Sequence, residues 1–388
     1  MRIVLIGPFG LSPKSTMKAR AWPLANALTA LGHQVKLVMP PWHTKEPALV
    51  WQDSGVELEY IALSRLPVLG YLLTTLRLLR SALAFKPQVV HCFKPKAYSG
   101  LAAYILWFRQ RLGLKVRLVV DEDDWEGSGG WNDLERYPRL MKRFFGWQES
   151  WGLRHCDALT VASRALQTIA WSHGVPPKQV FYLPNGATQS SLPIHDIRSD
   201  LGLGLVPLVL LYTRFVEFQV ERLVDVWRRI HEEMPAARLL IVGQALFQEV
   251  DERLNKLLGA GLAQSVVHVG WIPQEELASY FQGVTLALFP CDDTLVNRCK
   301  CSAKLTDLLS AGVPVIADAV GQNCEYIKDG QSGLLVPSGD NQAMALAALK
   351  LLGNEPMRRI LGQAARQSMA EHFAWDKLAE VALRAYEV

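Results

Sequence analysis

The stretch Asn297 to Val315, NRCKCSAKLTDLLSAGVPV, holds the residues best placed to do chemistry. Lys300 and Lys304 flank Ser302, a residue type that favours the N-cap of a helix. From there Leu305, Leu308 and Leu309 fall on one helical face, while Lys304 and Asp307, three apart, fall on the other. Gly312 suits the position just past a helix end, and Pro314 lies in an apolar strand, Val313 to Ala317, so a helix of about two to three turns is predicted. Free N–H groups at its start, with the lysines beside them, suit a phosphate, and Asp307 half a turn deeper suits a sugar hydroxyl. The bland alternative is an exposed lysine paired with Asp307.

A second cluster is Asp121-Glu122-Asp123-Asp124-Trp125, at the end of an apolar strand. Four consecutive acids are too costly to be plain core. Three readings stay open: an acceptor-binding or catalytic carboxylate, a D-x-D metal site, and a helix-capping cluster without chemistry. Tyr137 to Arg154, YPRLMKRFFGWQESWGLR, alternates basic and aromatic residues, and Leu66 to Lys86 and Leu101 to Arg117 are rich in leucine with interspersed arginines. These fit either solvated helices over a core or a platform on a membrane surface.

The elements that must position these residues alternate regularly. Strands are predicted at Arg2 to Gly7, Gln34 to Met39, Val56 to Ala62, Gln88 to Cys92, Val116 to Asp121, Ala158 to Ala162 and Gln179 to Leu183. Helices between them are expected at Lys18 to Leu31, Leu69 to Ala84, Ala97 to Arg111 and Leu134 to Gly152. A second series begins at Leu208 to Tyr212 and runs through Arg238 to Val242, Ser265 to Val269, Val284 to Phe289 and Gly333 to Val336. Such alternation predicts two Rossmann-like, doubly wound parallel sheets, with ligands in a cleft at the carboxyl ends of the strands. Pro184-Asn185-Gly186 and the aperiodic segment after it mark a boundary: residues 1–190, then 191–370, with a C-terminal helix, 371–388, packing back on the first domain. Gly7 and Gly10 do not form GxGxxG, and no acid closes the second strand, so a dinucleotide site is disfavoured.

The chain has 388 residues, half of them apolar, and a formal net charge of +4, which is far from the profile of a nucleic-acid binder. Six scattered cysteines without a CxxC pair read as small buried residues rather than a zinc site. With no signal peptide at the N-terminus, they indicate a reducing, cytoplasmic setting. No apolar run is long enough to span a bilayer.

Leu183-Pro184-Asn185-Gly186, Gly270-Trp271-Ile272-Pro273, Lys304 to Pro314, Gly321 to Glu325 and Gly333 to Asp340 form a familiar series in a familiar order. The chain resembles the retaining family-four glycosyltransferases of the GT-B fold over nearly its whole length. That resemblance implies two domains facing across a cleft, a nucleotide-sugar donor in the C-terminal one and a sugar or lipid-linked acceptor in the N-terminal one. It implies no metal or other cofactor, and a UDP- or GDP-sugar as donor. Arg214 takes the place of the diphosphate-binding arginine, and Asp307 that of the ribose-binding glutamate. Gly10, Gly243, Ile272, Ser302 and Glu325 would line the donor, with Arg214, Lys304 and Asp121 at the reacting centre and Asp123, Asp124 and Trp125 on the acceptor side. Two positions depart from the pattern: Gln219 replaces a lysine and Cys299 a glutamate. Where relatives often carry a histidine at the strand end, this chain is acidic. A partner subunit that binds donor without turnover, and a nucleotide-sugar epimerase, are the rival readings.

Overall fold

The computed structural model describes residues 1–12, 16–41, 48–64, 66, 69–187 and 194–387. Two compact units emerge: Met1–Gly186 with Cys299–Cys301 and Phe373–Val388, and Ala187–Arg298 with Ser302–His372. The boundary expected at residue 190 lies outside the described residues.

The first unit is built on β1 (Arg2–Ile6), β2 (Gln34–Met39), β3 (Leu49–Asp53), β4 (Val56–Tyr60), β5 (Val89–Phe93), β6 (Arg117–Glu122), β7 (Ala158–Val161) and β8 (Val180–Tyr182). Their order is β3-β4-β2-β1-β5-β6-β7-β8. All neighbours run parallel except β3, which pairs antiparallel with β4. The central strands are largely apolar because helices cover both faces of a parallel sheet, the exceptions including His91 on β5 and Asp121 on β6. The sequence pattern misses β3, LVWQD, since four of its five residues are exposed and no buried face imposes an alternation.

Two predicted helices are broken. Lys18 to Leu31 resolves into a π-helical turn, Met17–Ala21, running into the helix Trp22–Ala30, which has Pro23 in its first turn. The segment from Leu134 splits into Trp131–Leu134 and Arg139–Arg154, because Pro138 disfavours a helical residue before it and lacks an N–H.

The second unit orders its strands β11-β10-β9-β12-β13-β14, all parallel. They are β9 (Leu208–Tyr212), β10 (Arg238–Val242), β11 (Val266–Gly270), β12 (Leu286–Phe289), β13 (Val315–Asp318) and β14 (Leu334–Val336). In each sheet the strand order reverses once, between β1 and β5 and between β9 and β12. Ligands of open α/β sheets bind beyond the carboxyl ends of the strands at such reversals.

The helix Trp375–Glu387 belongs to the first unit. Its Leu378, Ala379, Ala382, Ala385 and Tyr386 join one buried cluster with Leu24 and Leu28 of the helix Trp22–Ala30 and with Leu183. Because Leu378 is buried among these groups, Leu378→Ala should cost about 2–5 kcal/mol, measured by denaturant unfolding.

Candidate functional site

At the strand-order reversal of the second unit, β9 ends at Tyr212 and the chain turns through Thr213–Phe218. Phe215 has φ +56°, and its N–H donates to Thr213 Oγ1 at 2.8 Å, which curls the loop back on its own strand. Glu217 is buried within this curl. Its Oε2 accepts from the Val216 N–H at 3.2 Å and the Thr213 hydroxyl at 3.3 Å, and its Oε1 faces Lys304 Nζ at 3.2 Å. The Glu217 carbonyl accepts from Asn297 Nδ2 at 2.7 Å and the Asp292 N–H at 2.8 Å. One loop thus binds the segment beyond β12 and the first turn of the helix Ala303–Ser310. A small pocket lies beside it, lined by Tyr212, Thr213, Glu217, Phe218, Phe289 and Pro290 among others.

Leu305, Leu308 and Leu309 are buried on the core face of Ala303–Ser310, as their spacing predicts. Ser302 is the N-cap residue, but its hydroxyl makes no capping bond, so the N–H groups of the first turn are not satisfied by it. Lys304 pairs with Glu217 across the unit rather than with Asp307 along the helix, and its ammonium lies 5.9 Å from the Tyr212 ring centroid. Burial pushes the Asp307 carboxyl up to about 7, against the pull of Lys304. Arg214 is exposed just past β9, and its carbonyl accepts from the Leu246 N–H at 3.2 Å.

Gly243, at the end of β10, has φ +121°, and a Cβ there would sit 1.9 Å from the Thr213 carbonyl oxygen. Its N–H donates to Gly270 O at 2.7 Å, and His268 Nε2 donates to its carbonyl at 2.9 Å, which ties the ends of β10 and β11 together past a register shift between Ile241 and Val242. Ile272 is half-buried just beyond β11, and Glu325 is exposed on the turn Asn323–Tyr326.

In the first unit the acids at the end of β6 part company. Asp121 is fully buried and bidentate to Arg20, at 2.7 and 2.6 Å, and it also accepts the Thr160 hydroxyl at 2.5 Å. Burial alone would lower the Arg20 pKa; the charge and hydrogen bonds of Asp121 outweigh it and raise the value. Thr160 in turn accepts from His91 Nε2 at 3.0 Å, and His91 Nδ1 accepts the Tyr386 hydroxyl at 2.9 Å. Burial pushes His91 down to about 4, so the ring is neutral and the direction of each bond is fixed. Asp121, expected at the reacting centre, thus has its carboxylate oxygens occupied by an internal counter-ion and a hydroxyl.

Asp123 and Asp124 turn instead to Lys94 Nζ, at 3.5 and 2.9 Å, and Glu126 bonds Lys96 at 2.7 Å. Lys94 follows β5, at the strand-order reversal of this unit, with φ +58°. Burial pushes the Asp123 carboxyl up to about 6 despite Lys94. Asp121 and Asp123 thus serve different cations, and among the described residues no group of His, Cys, Asp or Glu side chains is arranged to hold a metal ion. Trp125 is buried, donating Nε1–H to Ser128 O at 2.9 Å. Gly10 packs on Tyr60, whose ring would lie 3.2 Å from a Cβ there.

Four residues of these sites escape the sequence reading: Glu217, Tyr212, Arg20 and Lys94. Glu217 left one trace, an acid set among apolar neighbours in Phe215-Val216-Glu217-Phe218.

Residues 15–186 match the family described as Glycosyl transferase 4-like domain, and residues 207–354 match Glycosyl transferases group 1. The GDP-mannose-dependent alpha-(1-6)-phosphatidylinositol monomannoside mannosyltransferase of Mycolicibacterium smegmatis is 27% identical over 227 residues, 56% of this chain and 59% of that one. The chain spans between 22% and 59% of the length of the first curated relatives it matches. Among solved structures, a sucrose-phosphate synthase from Thermosynechococcus elongatus superposes with a TM-score of 0.74 at 21% identity, covering 99% of this chain and 98% of that one. Anabaena HepE, solved in complex with UDP, superposes with a TM-score of 0.69 at 15% identity, covering 99% and 98%.

Asp121→Asn leaves a buried guanidinium without its counter-charge. The expected result is a loss of about 3–5 kcal/mol in the unfolding free energy, whereas a purely catalytic role predicts unchanged unfolding.

Proposed function

Since the chain belongs to the family-four glycosyltransferases of the GT-B fold, we propose that it transfers a sugar from a UDP- or GDP-sugar to an acceptor, with retention at the anomeric carbon. The observation that carries this reading is Lys304, fixed by Glu217 in the first turn of a helix that starts at a strand-order reversal. An ammonium beside the N-terminal N–H groups of a helix is suited to a diphosphate. As the glycosidic bond breaks, charge grows on the leaving diphosphate, and donors already in place stabilise that state more than the ground state. Arg214 supplies a second cation from the end of β9, and Asp307 accepts from the ribose.

The acceptor binds to the first unit, near Asp123 and Asp124, which have carboxylate oxygens for sugar hydroxyls. A sugar or a lipid-linked polysaccharide precursor fits this chemistry, and the monomannoside mannosyltransferase among the relatives acts, by its name, on a phosphatidylinositol glycolipid. The reaction needs no metal in this reading, because the cations that balance the diphosphate come from the chain.

The test is release of nucleoside diphosphate from UDP- and GDP-sugars by the purified protein in EDTA. Lys304→Ala should lower turnover about a hundredfold, with a much smaller change in donor affinity. Activity within a few-fold of the unaltered protein, or activity abolished by EDTA and restored by manganese, would sink the reading.

Asp307 adds a pH dependence. Its carboxyl is protonated below about 7 and ionised above, and only the ionised form accepts both ribose hydroxyls. Donor affinity should therefore rise as pH increases through that value and level off above it. Asp307→Asn should give weaker binding and flatten the profile, measured by titration calorimetry on either side of neutrality.

A further inference from the structure

Three helices of the first unit, Leu69–Ala84, Ala97–Arg111 and Arg139–Arg154, lie side by side. Tyr71 stacks on Tyr98 at 5.0 Å between the first two. Between the second and third, Tyr104 meets Trp151 at 4.8 Å and Trp147 at 5.7 Å, and a Cβ on Gly100 would lie 2.8 Å from Gln148 Nε2. Each helix buries one face; the first and third leave an apolar stripe on the other, and the second exposes Phe108. Leu69, Leu72, Leu73 and Leu76 recur at i, i+3, i+4 and i+7 and are all exposed, while Thr74, Thr75, Leu78 and Leu79 are buried. On Arg139–Arg154 the exposed apolar groups are Leu140, 78% exposed, Phe144 and Trp147.

Charge on these helices is one-sided. They carry eight Arg and Lys residues, among them the exposed Arg80, Arg109, Arg139 and Arg143, and a single acid, Glu149, which is fully buried. The whole chain, by contrast, has 41 basic and 37 acidic residues. A row of exposed leucines and aromatics between arginines, on a helical surface without exposed acids, is the composition of an interfacial membrane segment. An acidic protein partner would account for the arginines and leave the leucine stripe unexplained.

We propose that this three-helix face docks on an anionic lipid bilayer, with the leucines and Trp147 in the headgroup and acyl boundary and the arginines on lipid phosphates. No described helix is long and apolar enough to cross a membrane, so the contact is a surface one. The inference does not rest on the transferase reading and is tested without activity.

The experiment is co-sedimentation of the full chain with phosphatidylglycerol–phosphatidylcholine vesicles and with phosphatidylcholine vesicles alone. Binding to the anionic vesicles and release by raised salt are expected. Each base removed in Arg80→Glu, Arg139→Glu and Arg143→Glu should lower partition at least fivefold. Leu69→Ser, Leu72→Ser and Leu140→Ser together should weaken binding at an unchanged salt dependence. Every substituted side chain is exposed, so both triple variants should unfold at the same temperature as the original. Absence of the protein from the anionic pellet, or sedimentation of both variants equal to that of the original, would overturn the proposal. So would concentration-dependent self-association that the serine variant abolishes while vesicles are ignored, which would make the face a contact between copies.

Discussion

A carboxylate at the end of β6 and a guanidinium from the turn Met17–Ala21 meet where both are almost completely shielded from solvent. Removing two charges from water costs several kcal/mol per ion, so such a pair persists only if every remaining lone pair and N–H is satisfied. That requirement organises the first unit. Asp121 needs a further donor, which is Thr160; Thr160 needs one, which is His91; His91 needs one, which is Tyr386 of the C-terminal helix. On the other side Arg20 Nη1 reaches Asn185 at 3.2 Å, and Asn185 Nδ2 bonds the carbonyl of Cys301 at 2.7 Å. A single polar chain thus links β5, β6, β7, the last helix and a segment from late in the sequence.

The second unit uses the same device once more. Arg222, on the helix Val220–Glu233, is bidentate to Asp318 at the end of β13, both bonds 2.7 Å. Asp318 also accepts the Cys291 N–H at 2.6 Å, so the exit from β12 is fixed by the same carboxylate. Each ion pair lies near the carboxyl ends of the strands, where chain direction changes and backbone groups lose their sheet partners. The polar groups that hold these exits are distinct from the ones offered to a ligand.

Much of the architecture was legible because parallel strands buried on both faces read as unbroken apolar runs, as in RIVLI and LVLLY. The helix Ala303–Ser310 was legible from leucine spacing and from the Gly312 stop. What the sequence does not reveal has a common cause: a side chain's partner lies far away in the chain. The cost of burying acids correctly marked Asp121 as unusual, but its partner Arg20 is 101 residues distant, so an internal counter-ion was indistinguishable from a reactive group. Helical spacing offers Asp307 as the one visible partner for Lys304, because Glu217 lies 87 residues away in the sequence.

The curled loop around Glu217 has one more consequence, for entropy. A lysine on an open helix start rotates freely and would surrender about 2 kcal/mol of rotamer freedom when it clamps a ligand. Here the carboxylate is itself held by the Thr213 hydroxyl and the Val216 N–H, and it holds Lys304 in turn. Much of that ordering is completed during folding, so an arriving anion exchanges one counter-ion for another instead of immobilising a mobile chain.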